Sequence, residues 1–467
     1  MKVLMFGWEF PPHISGGLGT ACYGLTNSLG KEAVDVLFVV PKVHGDEPAE
    51  NINLINASNV AVHNGPSKGI RLPNVSNTTV YTTSTGKEVS VQEASGFTYI
   101  EVPSGLVAYR SPEFAESADS VSHWNHQHGE APMTVSSNET KNNIANRHAT
   151  QRSPYAFSGA YGPNLLMEVE KYAQVASELA KKFSFDVIHA HDWMTYPAGI
   201  AAKEASGKPL IVHVHATEYD RSGSNVDTRV HAIEMAGMHS ADCVVTVSDW
   251  TKKIAITKYN VPKDKVQVVH NGIISKKKEE IKFESPLKRS PIVTFLGRIT
   301  HQKGPLYFVE AAKAVLAEIP DARFIVAGSG DLLPKMIQQV AKAGMSSRFH
   351  FTGFVKGQDI ERIWSISNVY VMPSVSEPFG IAPLEAIQAG VPVIISKQSG
   401  VAEVMPHAIA VDFWDTSALA EAICSVLKYK SLYQTLKRNS KAQIKGITWD
   451  RAAKRLNNLY HELTEQQ

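Results

Sequence analysis

Short apolar runs ending in glycine or a polar residue, each followed by a stretch with helical spacing, set the rhythm of this chain. "KVLMF" leads through a Gly/Pro-rich loop into apolar positions at helical intervals over 18–29, closed by Gly30, and then into "VDVLFVV". Runs of this length are strand-sized, and the intervening spacing of three to four residues marks one face of a helix. Strand, helix, strand in that order builds a parallel sheet with right-handed crossovers. The rhythm resumes with a helix over 164–182, then "FDVIHA", a helix near 195–205, "PLIVHVHA", another helix, "DCVVTVS" and "KVQVVHNG". A second series opens at "PIVTFLG" and runs through "ARFIVAG", "RFHFTG", "NVYVMP" and "VPVIIS". Between the two lies "ISKKKEEIKFESPLKRS" at 274–290, charged, poor in aliphatics and the best linker candidate.

A chain of 467 residues exceeds one compact core. The expected fold class is therefore α/β, with two doubly wound, Rossmann-like domains facing across a cleft. The expected boundaries are 1–280, 281–445 and a last helix over 446–467. In such sheets ligands bind outside the carboxyl ends of the strands, which puts the site between the domains. Two regions break the rhythm. Residues 51–110 alternate in the manner of strands, as in "TTVYTT" and "FTYIEV". Residues 111–163 are rich in Ser, Asn and His, and read as a long excursion, mobile or capping the mouth of the site. The histidines there do not stand at metal-ligand spacing.

Composition narrows the function. A hydrophobic fraction of 43% argues against overall disorder, and a net charge of +2 gives no general attraction to nucleic acid or anionic membrane. Any anion site must be local. Three scattered cysteines, Cys22, Cys243 and Cys424, suit a reducing compartment. The apolar run in "MKVLMFGWEF" is too short for a signal peptide, and nothing has the length of a membrane span. A soluble, cytoplasmic protein is expected.

The chemistry concentrates at strand ends of the second series. "FLGRITHQKG" carries Arg298 and Lys303 into a loop that opens a helix at Gly304-Pro305. A guanidinium fork and an ammonium both suit phosphate oxygens, and a solvated basic loop is an equal reading. "VAGSGD" is a weaker glycine-rich turn. "SVSEPFGIAPLEAIQAGVPV", 374–393, is more telling. Pro383 suits a first helical turn and Gly390 a C-terminal cap, so backbone amides around 380–382 aim unpaired donors at the cleft. Glu385 in the first turn is accounted for by the helix dipole alone. Glu377, in an irregular loop, is not; a carboxylate there accepts well from sugar hydroxyls. Together the cations, amides and carboxylates describe a diphosphate flanked by ribose and hexose.

These motifs resemble those of retaining GT-B glycosyltransferases of the glycogen and starch synthase-like group, of family 4 and family 5 type. Glu377 and Glu385 meet its Glu, seven residues, Glu pattern. Gly297-Arg298 and Lys303-Gly304 meet its Gly-Arg, four residues, Lys-Gly pattern. "EFPPHISGGLGT" is similar to its first glycine-rich loop, and the likeness spans the chain apart from 111–163. The resemblance implies that Arg298 and Lys303 hold the donor diphosphate and that Glu385 binds the ribose. Glu377, with Phe379, Gly380 and Ile381, would hold the transferred sugar. His191 would contact that sugar from the N-terminal, acceptor-side domain, and Gly16 and Gly17 would approach the donor phosphates and acceptor. Taken from the residues alone, Gly16-Gly17 is also a tight turn and His191 a hydrogen-bonded strand-end histidine. The resemblance further implies no metal and no cofactor besides a nucleoside diphosphate sugar, ADP-glucose or UDP-glucose, with an oligo- or polysaccharide acceptor. It also implies that the last helix, whose stripe is Trp449, Ala453, Leu456 and Tyr460, crosses back to the N-terminal domain. One departure stands out: Ile14 occupies the position where bacterial glycogen synthases carry a lysine.

Two rival readings stand beside this one. His189/His191 and His213/His215 alternate on strands and could bind a metal as in a hydrolase. A catalytically silent sugar-nucleotide-binding protein on the same fold is the other.

Overall fold

The computed structural model describes residues 1–12, 16–48, 52–63, 78–82, 88–94, 97–101, 152–159, 161–274 and 290–465. The charged linker from 275 to 289, the excursion from 102 to 151, His13 and Ile14 lie outside the described residues.

Two parallel sheets carry the molecule. The first has seven strands in the order Val266–Val268, Cys243–Thr246, Leu210–Val214, Val187–His191, Lys2–Phe6, Asp35–Val40, Asn53–Asn56. The second has six, in the order Phe349–Gly353, Arg323–Ala327, Ile292–Leu296, Val369–Met372, Val393–Ser396, Ile409–Val411. Central strands such as Val3–Phe6 and Val369–Met372 are buried throughout, as expected of parallel strands covered by helices on both faces. In the first sheet the chain runs outward from Lys2–Phe6, then returns to lay Val187–His191 on its other side. In the second it does the same around Ile292–Leu296 and Val369–Met372. These two reversals are topological switch points, where adjacent loops part and open a crevice.

The β-like region resolves into two devices. Residues 53–56 extend the first sheet, and Thr78–Thr82, Glu88–Ala94 and Phe97–Glu101 form an antiparallel ribbon. Part of the expected polar excursion is ordinary structure instead. Arg152–Pro154 pairs antiparallel with Ala61–His63, and Phe157 is buried against Tyr172. Aromatics, not aliphatics, anchor this stretch, which is why an aliphatic count passes over it. The first helix also runs past its expected stop: it spans Gly17–Lys31, with Gly30 inside it, and the turn is made by Ala33 at φ 58°.

The last helix, Trp449–Glu465, buries Trp449, Ala452, Ala453, Leu456, Leu459 and Tyr460 in the core beneath the first sheet, beside Met5, Leu25 and Leu29. Trp449 lies so close to Gly24 that a Cβ there would meet its indole nitrogen at 2.3 Å. The chain therefore passes between the halves twice. The two passages touch: Ile273 N donates to the Ile447 carbonyl at 3.2 Å, and Gly272 lies directly on the Thr448 backbone.

Candidate active site

Both switch points deliver chemistry to the cleft. Strand Ile292–Leu296 ends at Gly297, Arg298 follows, and the chain turns through His301–Lys303 into the helix Pro305–Glu318. Strand Val369–Met372 leads into the Glu377 loop and the helix Ala382–Ala389. Gly304 brings the two loops together. It sits at φ 66°, and a Cβ there would lie 1.9 Å from the Pro373 carbonyl, so only glycine allows the approach. Val375 N donates to the Gln302 carbonyl at 2.8 Å, closing the contact.

The result is a meeting of predicted residues from separate motifs. Lys303 Nζ lies 2.5 Å from Glu377 Oε2, which also accepts from Ser374 Oγ at 3.2 Å. Glu377 is 5% exposed, so it is no surface-loop carboxylate. Its backbone is fixed on both sides: Glu377 N donates to Gln398 O and Gly400 N to Glu377 O, each at 2.9 Å. Lysine carries three N–H donors, so this one bond leaves capacity for phosphate oxygens. Phe379 is buried and Gly380 adopts φ 98°. Ile381 is the N-cap of Ala382–Ala389; its carbonyl accepts from Leu384 N at 2.9 Å and Glu385 N at 3.1 Å and Pro383 has no N–H, so the candidate donors at this helix start are the amides at 380–382. Gly390 closes that helix at φ 88°.

From the other half comes His191, the last residue of Val187–His191, with Asp192 behind it at φ 64°. His191 Nδ1 shares a hydrogen bond with His215 Nε2 at 2.9 Å, and His189 Nδ1 shares one with the Tyr460 hydroxyl at 2.6 Å. Burial holds His189, His191 and His213 well below the usual imidazole value, and neighbouring imidazoles add to the effect. Burial also brings His215 down to about 3. His189, His191 and His213 place ring nitrogens within 4.8 Å of one another. Their rings stack, however, His189 on His191 at 4.2 Å and on His213 at 5.4 Å, tilted by only 26° and 11°. Lone pairs of stacked rings run side by side, whereas metal ligands point at one centre. Gly16 is the N-cap of the first helix in an extended conformation open to any residue, and a Cβ on Gly16 or Gly17 would meet nothing within 4 Å. Neither glycine adopts a positive φ, so neither backbone conformation itself requires glycine, and among the described residues the space around both is open.

Three features escape sequence reasoning. The Asp192 carboxyl is pushed up by burial and drawn back by Arg221, 3.9 Å away, and by Arg298 across the cleft. Arg221 in turn binds Glu218 and Glu234 in a buried network, where burial pushes Glu234 up to about 8. Phe354, 64% exposed, follows the carboxyl end of Phe349–Gly353, two strands from the one that delivers Arg298. That is roughly 10 Å at the usual strand spacing, the reach of a nucleotide. An aromatic at a strand end was the available signal for Phe354; the acidic network has none, because its members are far apart in sequence.

Comparison with known proteins agrees with this architecture. The family model described as Glycosyl transferases group 1 matches residues 277–443. Those described as Glycosyltransferase Family 4 and Starch synthase catalytic domain match 133–276 and 2–134. An uncharacterised glycosyltransferase of Methanocaldococcus jannaschii is 32% identical over 310 residues, which cover 61% of this chain and 79% of that protein. Sucrose-phosphate synthase from Thermosynechococcus elongatus shares the fold over 100% of both chains, with a TM-score of 0.64 at 18% identity. So does Anabaena HepE in complex with UDP-glucose, again over 100% of both chains, at 0.60 and 15%. Two facing parallel sheets, their switch points at one cleft, and matches along nearly the whole sequence lead to one statement: the chain belongs to the GT-B glycosyltransferases of the glycogen and starch synthase-like group.

Proposed function

We propose that the protein is a retaining hexosyltransferase. It moves a hexosyl unit, α-glucosyl in the first instance, from a nucleoside diphosphate sugar to a hydroxyl of an oligo- or polysaccharide. The observation that carries this is the meeting of Lys303 and Glu377 at the second switch point, beside the start of Ala382–Ala389. A leaving diphosphate needs fixed positive charge, and a transferred sugar needs hydroxyl acceptors; both stand within one bond of each other. Arg298, Lys303 and the helix amides stabilise the diphosphate as the glycosidic bond breaks. Glu377, with Phe379, Gly380 and Ile381, holds the sugar, Glu385 the ribose, and His191 reaches the sugar from the opposite wall. The acceptor oxygen attacks from the face the diphosphate leaves, and a diphosphate oxygen takes its proton. Gly16 and Gly17 leave room for phosphates and acceptor, and Phe354 offers a face for the base. The starch-synthase match and the UDP-glucose complex of HepE support a glucosyl donor, ADP-glucose or UDP-glucose.

The same reading divides the chain at 280/281 and 445/446 and puts the reaction in the cytoplasm, which suits three buried free thiols. Among the described residues no helix is long and apolar enough to cross a membrane. The test is nucleotide release with ADP-glucose, UDP-glucose and other sugar nucleotides, against glycogen and maltooligosaccharide acceptors, with the product's anomeric configuration read by NMR. Release with an α-linked product is expected. An inverted product refutes retention. Binding without release or transfer from any donor identifies a silent sugar-nucleotide-binding protein instead.

A further inference from the structure

Glu377 lies between two residues that the other half of the molecule grips. Ser376 Oγ donates to Asp220 Oδ1 at 2.5 Å and accepts from Trp250 Nε1 at 3.1 Å. The Pro378 carbonyl accepts from Ser248 Oγ at 2.5 Å and from Thr251 Oγ1 at 3.3 Å. Asp220, Ser248 and Thr251 are buried. They come from two elements of the first half, the helix Glu218–Ser222 and the start of the helix Asp249–Tyr259.

Each gripping side chain is itself braced. Asp220 Oδ2 accepts from Thr217 N at 2.8 Å and from Thr217 Oγ1 at 2.7 Å, in a capping box. Glu403, from the second half, accepts from Asp249 N at 2.9 Å and Trp250 N at 2.7 Å, a carboxylate set on a helix N-terminus. Gly400 leaves no room to spare: a Cβ there would meet the Pro378 carbonyl at 2.2 Å and the Ser248 Cβ at 2.4 Å. Helix Glu218–Ser222 also packs on the His301–Lys303 turn, so one element touches both loops that carry the Lys303–Glu377 pair. A shared apolar cluster, with Val247 and Ile273 of the first half against Phe379 and Val401 of the second, lies beside these bonds. Asp220 is desolvated for them, and hydrogen bonds from Ser376 and Thr217 offset part of the burial that pushes its carboxyl up.

We infer that Asp220, Trp250 and Ser248 form a clamp that positions Glu377, so that this carboxylate reaches its working geometry only when the two halves are in register. The clamp rests on the transferase reading given above. Its members are positioning residues: they touch the loop, not the substrate. The consequence is that closing the cleft and aligning the carboxylate are one event.

Asp220 and Ser248 also cap helices, so the informative variants lie elsewhere. Ser376→Ala removes the hydroxyl at the centre of the clamp, and Trp250→Phe removes only the indole donor. Ser376→Thr keeps the hydroxyl. Expected for Ser376→Ala is a kcat about tenfold lower with donor KM within about twofold, and recovery of most of that loss in Ser376→Thr. Trp250→Phe should shift kcat the same way by less, and it serves if Ser376→Ala does not fold. A second readout needs no turnover: amide hydrogen exchange at Glu377, Gly400 and Val401 should be at least about tenfold faster in both variants, with Val393–Ser396 unchanged. Unchanged exchange at those three amides overturns the clamp. So does faster exchange with unaltered kcat, because the hold then has no bearing on transfer. A wild-type protein that transfers from no sugar nucleotide overturns the transferase reading instead, and the exchange comparison still decides whether the loop is held.

Discussion

At the residue scale the two carboxylates of 374–393 separate cleanly. Glu377 is buried and bonded to Lys303, while Glu385 stands in the first turn of a helix whose dipole favours it. Glu377→Gln should lower kcat at least about tenfold, since in the proposed function it holds the transferred sugar, whose charge and shape change at the transition state. Burial adds a cost that the sequence does not reveal: the variant leaves the Lys303 ammonium without its carboxylate, and a stability loss of about 1–3 kcal/mol should appear as a lower Tm. Glu385→Gln should weaken donor binding by roughly 1–3 kcal/mol with little change in kcat. Steady-state kinetics and a melting curve on each variant check both; wild-type kinetics in the two would end the site assignment. Phe354→Ala should raise the nucleoside diphosphate Kd by the equivalent of about 1–3 kcal/mol, the usual worth of stacking a base on an aromatic ring, as measured by calorimetry. The charged residues of this site were legible because each stands in a short motif at a strand end. Asp220 and Ser376 were not, because 156 positions separate them and neither sits in a pattern.

Among elements, strands were the easier part to read. Parallel strands buried on both faces announce themselves as unbroken apolar runs, and those quoted from both series lie in the two sheets. Helix ends were harder. Gly30 looks like a stop, yet the helix continues to Lys31 because the turn falls on Ala33, whose positive φ no composition rule foretells. Gly304 is the opposite case, a glycine whose role is visible only in three dimensions. Gly304→Ala must fit a side chain at φ 66° against the Pro373 carbonyl. The left-handed conformation alone costs about 1–2 kcal/mol, and the clash adds to it. The expected loss is at least about 2 kcal/mol of stability together with a fall in donor affinity, since Lys303 and Glu377 would be pushed apart. Denaturant melts and nucleotide titration measure the two effects; a fully stable Gly304→Ala with normal binding would show that the loops meet by some other constraint.

For the whole molecule, the stacked histidines set the acid limit. His189, His191, His213 and His215 are all held below the ordinary imidazole value of about 6.5, so the unfolded chain binds protons that the folded one refuses. Their contribution is present above about pH 6.5 and is lost as pH falls below it, by about 1.4 kcal/mol per pH unit for each ring kept neutral. Glu234, raised to about 8, acts the other way, favouring the fold below about pH 4.5 and losing that contribution as pH rises toward 8. Asp192 and Asp220, also raised, act with Glu234, but five lowered imidazoles, His231 among them, against three raised carboxyls make the acid side the steeper. Tm should therefore drop sharply between pH 6.5 and 5, and His213→Leu, which replaces a ring with no hydrogen-bond partner at either nitrogen among the described residues, should flatten the drop. A chelator should leave transfer unchanged, since protein cations and amides take the place of a metal in the proposed mechanism; loss of activity restored by a divalent ion would revive the histidine cluster as a ligand set. The helix Trp449–Glu465 carries a different implication. The chain leaves the second half just before it, and from Trp449 to Tyr460 the helix lies in the core of the first. The polypeptide is thus tied to itself like a parcel whose cord goes round twice, and severing one turn does not open it. A protein cut once at an engineered protease site within 275–289 should stay a single particle, its two fragments parting only when denaturant pulls the tail out.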